Sequence, residues 1–309
     1  MTFGDVNRVN TNLQALTSQF SLNKVNGRLA DTQLKLSTGL RINRAEDDAA
    51  GFSIASKLSS KVTGLEQAQR NVGDAKSMLD VAESGLNSVM DTLIEIKAKA
   101  TQASTDSIGQ EERDFIGDQI EALAAEINNV VDITNFQGTT LLGSANAADD
   151  ARVNTDLTFQ VGEQSSDTQA VSIASAAVAD LFGATLDVNG NGDITTAQAA
   201  GNSKGTLAIN NGTGAEDFRT FIDTIDTAVQ SVSSIFNQIG IDQNSLSIKQ
   251  ENLSQSISSN SAARSRIQDA DFAKVQSESI KLQILQQTAT SALAQANSSP
   301  QAVLGFLGN

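Results

Sequence analysis

The sequence predicts a mainly α fold: an elongated antiparallel coiled-coil or helical rod built from both chain ends, with a β-hairpin and a small mixed insertion in the middle. Three observations predict it. Leu58, Leu65, Val72, Leu79, Leu86, Leu93 and Ala100 stand seven apart, and Ala68, Ala75, Ala82, Val89, Ile96 and Ala103 form a second series three residues behind most of them. An apolar seam sustained over more than four heptads asks for a long helix in a left-handed coiled coil. Near the other end, Ile225, Val232, Ile239, Leu246 and Leu253 repeat the spacing, so a return segment over 218–260 can cover the first stripe. The chain also has a single proline, Pro300, and little else that would interrupt a helix.

The elements follow in order. Leu22, Val25, Leu29, Thr32 and Leu36 carry a 3,4 spacing that ends at Ser37-Thr38-Gly39, a glycine stop. The long stripe from Leu58 to Ala103 would run about 70 Å at ~1.5 Å per residue, more than a small globule can bury. After a break at 105–109, Ile116, Ile120, Leu123, Ile127 and Val130 resume the pattern until Asn135-Phe136-Gln137-Gly138. Residues 157–161 and 169–173 alternate like the strands of a hairpin across a polar turn. From 176 to 214 the chain is rich in Gly, Asn, Thr and Ala with Asn-Gly turn signals, and reads as a small mixed insertion. Expected domains are 1–45 with 265–309 as an inner terminal-helix pair, 46–175 with 215–264 as the rod and hairpin, and 176–214 as an outer surface insertion.

Composition removes whole classes of function. Without His or Cys there is no zinc centre of the usual kind, no His-based triad and no disulfide framework. A non-enzyme without cofactors is the expectation. The net charge of −15 argues against nucleic acid and anionic membrane as partners. The opening MTFGDVNRVNTNLQAL has no basic region followed by an apolar run, so no cleaved signal peptide is expected, and no stretch approaches a membrane span. Residues 145–217 hold ten acidic and two basic side chains, about half of the charge excess, which suits an outward-facing segment.

The terminal segments are amphipathic but poor in partners. Leu13, Leu16, Leu22, Val25 and Leu29 at one end, and Ile280, Ile284, Leu285, Leu293, Val303 and Leu304 at the other, are interspersed with Asn, Gln and Ser. One such helix pair buries little surface and gains its stability from neighbours. These ends are expected to order fully only when other subunits cover them.

Two motifs, at opposite ends and in the right order, resemble bacterial flagellins. Val9-Asn-Thr-Asn12, Leu36-Ser-Thr-Gly-Leu-Arg-Ile-Asn43 and Glu46-Asp-Asp-Ala-Ala-Gly51 are similar to the family's N-terminal signature. Arg264-Ser-Arg-Ile-Gln-Asp-Ala-Asp-Phe-Ala273, Gln283-Ile-Leu-Gln-Gln287 and Leu293-Ala-Gln-Ala-Asn297 are similar to its C-terminal one. The resemblance implies a helical filament with terminal helices lining a channel, the rod forming the wall and the insertion facing out. It implies a homo-polymer of flagellin subunits, export through the flagellar type III channel with a chaperone at the C-terminal helices, contact with cap and hook-junction proteins, and an extracellular location in the flagellum. A chain without Cys suits threading through a narrow channel.

Self-assembly residues expected on this basis are Leu22, Val25, Leu29, Leu36, Arg41, Arg44, Asp47, Asp48, Arg264, Arg266, Ile284, Leu285 and Leu293. The rod seam is expected at Leu65, Val72, Leu79, Leu86, Leu93, Ile225, Val232, Ile239, Leu246 and Leu253. Arg41, Arg44, Glu46, Asp47 and Asp48 fall on the family's short spoke, where charge pairing between subunits would make assembly sensitive to salt and acid. In flagellins sensed by the vertebrate innate receptor the rod helix carries Leu-Gln-Arg-Val-Arg-Glu-Leu. The matching stretch here is Leu93-Ile94-Glu95-Ile96-Lys97-Ala98-Lys99, in which Glu95 reverses a charge and Ala98 removes one. Weak receptor activation is expected.

A calcium loop is the remaining candidate. Asp187, Asn189 and Asn191 occupy the first, third and fifth places of an EF-hand-like run, Asp193 the seventh and Gln198 the twelfth. Calcium prefers a bidentate Glu at that last place, so no metal is expected, and any binding would be weak. Two other readings stand beside the filament subunit: a hook-filament junction protein of similar build, and an exported calcium-dependent adhesin.

Overall fold

The structure is a computed structural model that describes residues 12–143, 155–183, 187–188, 192–197 and 205–307, with side chains up to 298. By contact the chain divides into two compact units, residues 1–63 with 257–309, and residues 64–256.

The first unit is built on α1 (Leu13–Thr38) and α6 (Phe272–Leu307), which pack on one another. Asn12 caps α1: its side-chain oxygen accepts the Ala15 N–H at 3.0 Å, and its amide nitrogen donates to the Ala296 carbonyl at 2.7 Å. At the other end Gly39 takes φ 72°, a left-handed conformation natural to glycine, and its N–H closes on the Lys35 carbonyl. The helices run antiparallel, with Arg28 on Glu278 at 3.2 Å and Gln286 on Asn26 at 2.8 Å. The unit also holds the first residues of α2 (Ala49–Ala103) and the last of α5 (Ala215–Gln268), joined where Arg264 donates to Ser59. The polypeptide of α6 stays helical past Pro300.

In the second unit the predicted seam is buried as a continuous core. Leu65, Val72, Leu79, Leu86 and Leu93 on α2, and Ile225, Val232, Ile239, Leu246 and Leu253 on α5, are all nearly inaccessible. Polar contacts flank the seam: Gln243 donates to Asp80 and Glu83, and Lys97 pairs with Asp226. Asp80 to Lys97 and Gln243 to Asp226 are equal steps in opposite directions, the register of an antiparallel pair. α3 (Gln110–Ile133) adds Ile116, Ile120, Ala124, Ile127 and Val131 to the core. At its start the Glu112 carboxylate returns to the Gly109 N–H at 2.8 Å.

Three small antiparallel pairs complete this unit. β1 (Asn135–Phe136) and β2 (Thr139–Thr140) are joined by a tight turn with Gln137 at φ 51° and Gly138 at φ 86°. β3 (Thr155–Gln160) pairs with β4 (Thr168–Ile173) in the expected hairpin, with Leu157 opposite Val171. β5 (Ile194–Ala197) pairs with β6 (Thr206–Ile209), and α4 (Val178–Phe182) precedes them.

The stretch from 176 to 214, expected as an outer insertion, contributes to the core of the second unit. Val178, Leu181, Phe182, Ile194, Leu207 and Ile209 are buried, and α4 and β6 pack on α3. Phe182 stacks on Phe221 of α5 with ring centroids 5.7 Å apart. Asn128 of α3 receives the Val178 N–H at 3.2 Å and donates to the Gly205 carbonyl at 2.9 Å. Val178, Leu181 and Phe182 stand at helical intervals and Leu207 and Ile209 alternate as in a strand, but these runs are too short to stand out among the Gly, Asn and Thr around them.

Candidate assembly surface

Polar, repetitive α1 and α6 bury few large side chains on each other. On α1 only Leu29 and Thr32 are buried, and the buried side chains of α6 are Ser279, Leu282 and Ala296, among the described residues. Leu22, Val25, Leu36 and Leu293 are half-buried. Others stand open: Leu16 and Phe20 are about 70% exposed, Ile284 60% and Leu285 40%, with Leu13 and Ile280 near one half. Phe272, at the start of α6, is 64% exposed, so seven large apolar groups stand open on one helix pair among the described residues.

The connection between α1 and α2 is ordered by its own hydrogen bonds. Leu40 and Asp269 form an antiparallel bridge, the Arg41 N–H donates to the Gln268 carbonyl, and the Ala270 N–H donates to Gly39. The guanidinium of Arg41 donates to the Ile267 carbonyl at 2.6 Å, which places its charge at the C-terminal end of α5, where cations are favoured. Ile42 is buried.

Asp47 accepts the N–H groups of Asn43 and Arg44 at 2.9 and 3.1 Å. Those two backbone donors hold its carboxyl below the ordinary carboxylate range, with smaller help from Lys35 and Arg44. Asp48 accepts the Gly51 N–H at 2.9 Å and so caps the first turn of α2. Gly51 has no room to change, since a Cβ there would lie 2.5 Å from an Asp48 oxygen and 2.7 Å from Ile42 Cδ1. Arg44 pairs with Glu46 at 2.9 Å, and both are well exposed. The spoke charges are therefore engaged within this chain: Asp47 and Asp48 shape the loop, Arg41 ties it to α5, and Arg44 and Glu46 face solvent together. Arg266 is exposed and Arg264 half-buried.

On the rod, Leu93 and Ile96 are in the seam, whereas Ile94, Glu95 and Ala98 face outward. Of the calcium candidates, Asn189, Asn191 and Gln198 lie outside the described residues. Asp187 accepts the Gly192 N–H at 2.9 Å, and Asp193 is half-buried. No cluster of three or more His, Cys, Asp or Glu suited to a metal ion occurs among the described residues, nor is any helix there long and apolar enough to cross a membrane.

Arg113, like Asn128, carries no signal in the sequence. Arg113 of α3 is buried, and its guanidinium donates to the Ala103 carbonyl at 3.0 Å, to Gln110 Oε1 at 3.0 Å and to the Thr105 carbonyl at 3.2 Å. It closes the end of α2 and the turn into α3. Its partners are mostly backbone carbonyls, which carry no sequence signature.

Comparison with known proteins agrees with this geometry. Residues 9–147 match the bacterial flagellin N-terminal helical region and residues 222–307 the bacterial flagellin C-terminal helical region. A flagellin of Bacillus subtilis (strain 168) is 34% identical over 309 residues, covering 97% of this chain and 99% of that protein. Flagellin B of Vibrio cholerae is 29% identical with the same coverage. Among solved structures, a flagellar hook-associated protein from Vibrio parahaemolyticus aligns with TM-score 0.53 at 13% identity, covering 72% of this chain and all of that one, a likeness of fold alone.

Proposed function

The chain belongs to the bacterial flagellin family, and from that membership we propose that it is a structural subunit polymerising with copies of itself into the helical flagellar filament. The observation that carries the reading is the set of open apolar side chains on α1 and α6: Leu13, Leu16, Phe20, Phe272, Ile280, Ile284 and Leu285. Burying such side chains contributes about 1.5–3 kcal/mol each, so helices that are marginal in one molecule gain their stability between molecules. Half-buried Leu22, Val25, Leu36 and Leu293 extend that surface, and the bonded loop of Arg41, Arg44, Asp47 and Asp48 sets the angle at which the chain leaves it.

Family membership supports the rest of the proposal. The protein is structural and not catalytic, lies outside the cell in the filament, and is exported without a cleaved signal peptide after delivery by a chaperone holding the C-terminal helices. Cap and hook-junction proteins are its other neighbours, and residues 1–45 with 265–309 form the filament core. Relatives matched end to end and named flagellin favour the filament over a junction protein or an adhesin. The test is electron microscopy of purified protein after salt-induced polymerisation. Long uniform fibres are expected; folded protein that remains a solitary particle under every condition tried overturns the reading.

A further inference from the structure

The charges of this chain are unevenly divided. The first unit holds 12 basic and 8 acidic residues, whereas the second holds 9 basic and 28 acidic. The first unit is therefore cationic within a protein whose net charge is −15.

The cationic excess has a definite place. Residues 49–63 of α2 and 257–268 of α5 contain Lys57, Lys61, Arg264 and Arg266 and not one acidic residue. The two segments lie side by side where Arg264 donates to Ser59. That register sets Lys57 of one helix opposite Arg266 of the other, and both are exposed. Four cations thus form a collar.

The complement lies in the second unit, where the turn after α2 meets the start of α5. Arg219 draws Asp106 and Glu216 together at 2.9 and 2.8 Å, and the Gly212 N–H donates to Asp114 at 3.1 Å. Glu111 and Glu112 occupy the first turn of α3 beside them. Against these five carboxylates stand Arg219, shared between two of them, and Arg113, buried with its donors turned to the groups it already holds.

We infer that the collar of Lys57, Lys61, Arg264 and Arg266 seats the acidic end of a second copy, the end formed by Asp106, Glu111, Glu112, Asp114 and Glu216. The inference rests on the filament reading and names a contact within it. Two different surfaces meet, so the contact is heterologous, the type that extends into an open helical fibre when its rotation does not close. Opposite charges fix the direction of addition, steer encounter, and penalise approach by the wrong ends, which are alike in sign.

Charge exchange tests it. One variant carries Lys57→Glu and Arg266→Glu, a second Asp106→Lys and Glu111→Lys, and a third all four changes. Growth of wild-type seeds and of each variant on its own seeds is followed by light scattering at low salt, with thermal melting by circular dichroism to establish folding. Each two-site variant is expected to grow at least tenfold more slowly, with the deficit shrinking as salt rises, and the four-site variant is expected to recover most of the wild-type rate. Folded two-site variants that grow at the wild-type rate overturn the inference. So does a four-site variant as slow as the others, which would mean that the collar meets something other than this acidic end. If the seeded wild-type protein forms no fibre at all, the filament reading itself has failed.

Discussion

The guanidinium of Arg113 lies 3.0 Å from the Ala103 carbonyl, so a charge carried by the third helix finishes the second. The last carbonyls of a helix have no partner within it, and burial without one is costly. Arg113→Ala should remove the Ala103, Gln110 and Thr105 contacts together and destabilise the monomer by about 2–3 kcal/mol in urea unfolding. Arg113→Lys should recover only part of this, because one ammonium does not span the same fork of acceptors.

Asn128 should behave similarly near the other end of α3. Asn128→Leu leaves the Val178 N–H and the Gly205 carbonyl without their side-chain partner. A loss of about 1–3 kcal/mol is expected. Amide exchange at Val178 should accelerate well before exchange in the α2 seam does.

The seam and the open apolar side chains of the terminal helices should separate cleanly by mutation. Leu86→Ala opens a cavity in a position with no accessible surface and should cost the monomer about 2–5 kcal/mol. Ile284→Ala alters a side chain that is 60% exposed and should change monomer stability by less than about 0.5 kcal/mol. Filament growth measured by light scattering should nonetheless fall sharply for Ile284→Ala. Growth unaffected by Ile284→Ala would remove Ile284 from the assembly surface.

Acid should loosen the connection at Asp47 only after ordinary carboxylates have taken up their protons. Its folded-state carboxyl titrates below the ordinary carboxylate range because it accepts two backbone N–H groups. A depressed value stabilises the folded loop at pH above the unfolded value near 3.9, and that contribution disappears as pH falls through the folded value. Amide resonances of Asn43 and Arg44 should therefore shift together below pH 4. In Asp47→Asn the shared step should vanish.

Receptor activation by the monomer should be weak. Ile94, Glu95 and Ala98 stand on the outer face of α2, with Glu95 and Ala98 in places where sensed relatives carry an arginine and a glutamate. A reporter-cell assay should give little response to this protein, and the double change Glu95→Arg with Ala98→Glu should raise it by about tenfold or more. Strong activation by the unaltered monomer would contradict the assignment.

How far the fold was legible depended on the kind of signal. The seam from Leu65 to Leu93 and its partner from Ile225 to Leu253 could be read because each residue repeats at the helical period and both stripes are buried. Gly39 marked the end of α1 because a left-handed residue stops a helix. Ile284 and Leu285 show the limit of such reading: periodicity reports that a helix has an apolar face, and says nothing of whether this molecule covers it. Val178, Leu207 and Ile209 were illegible for a different reason: they keep the period of their elements, but in runs of four or five residues too short to tell from turns. Arg113 and Asn128 were missed because they bond chiefly to backbone, and Asp47 read as an intersubunit charge where its nearest work is to bind two amides of its own loop.

The second unit's surplus of carboxylates has a consequence on a larger scale than one molecule. Every subunit added to a fibre brings net negative charge with it, and like-charged fibres in suspension keep apart over a distance of the order of the Debye length, about 10 Å at 0.1 M salt. Growth along one axis can then proceed without thickening into sheets or cables.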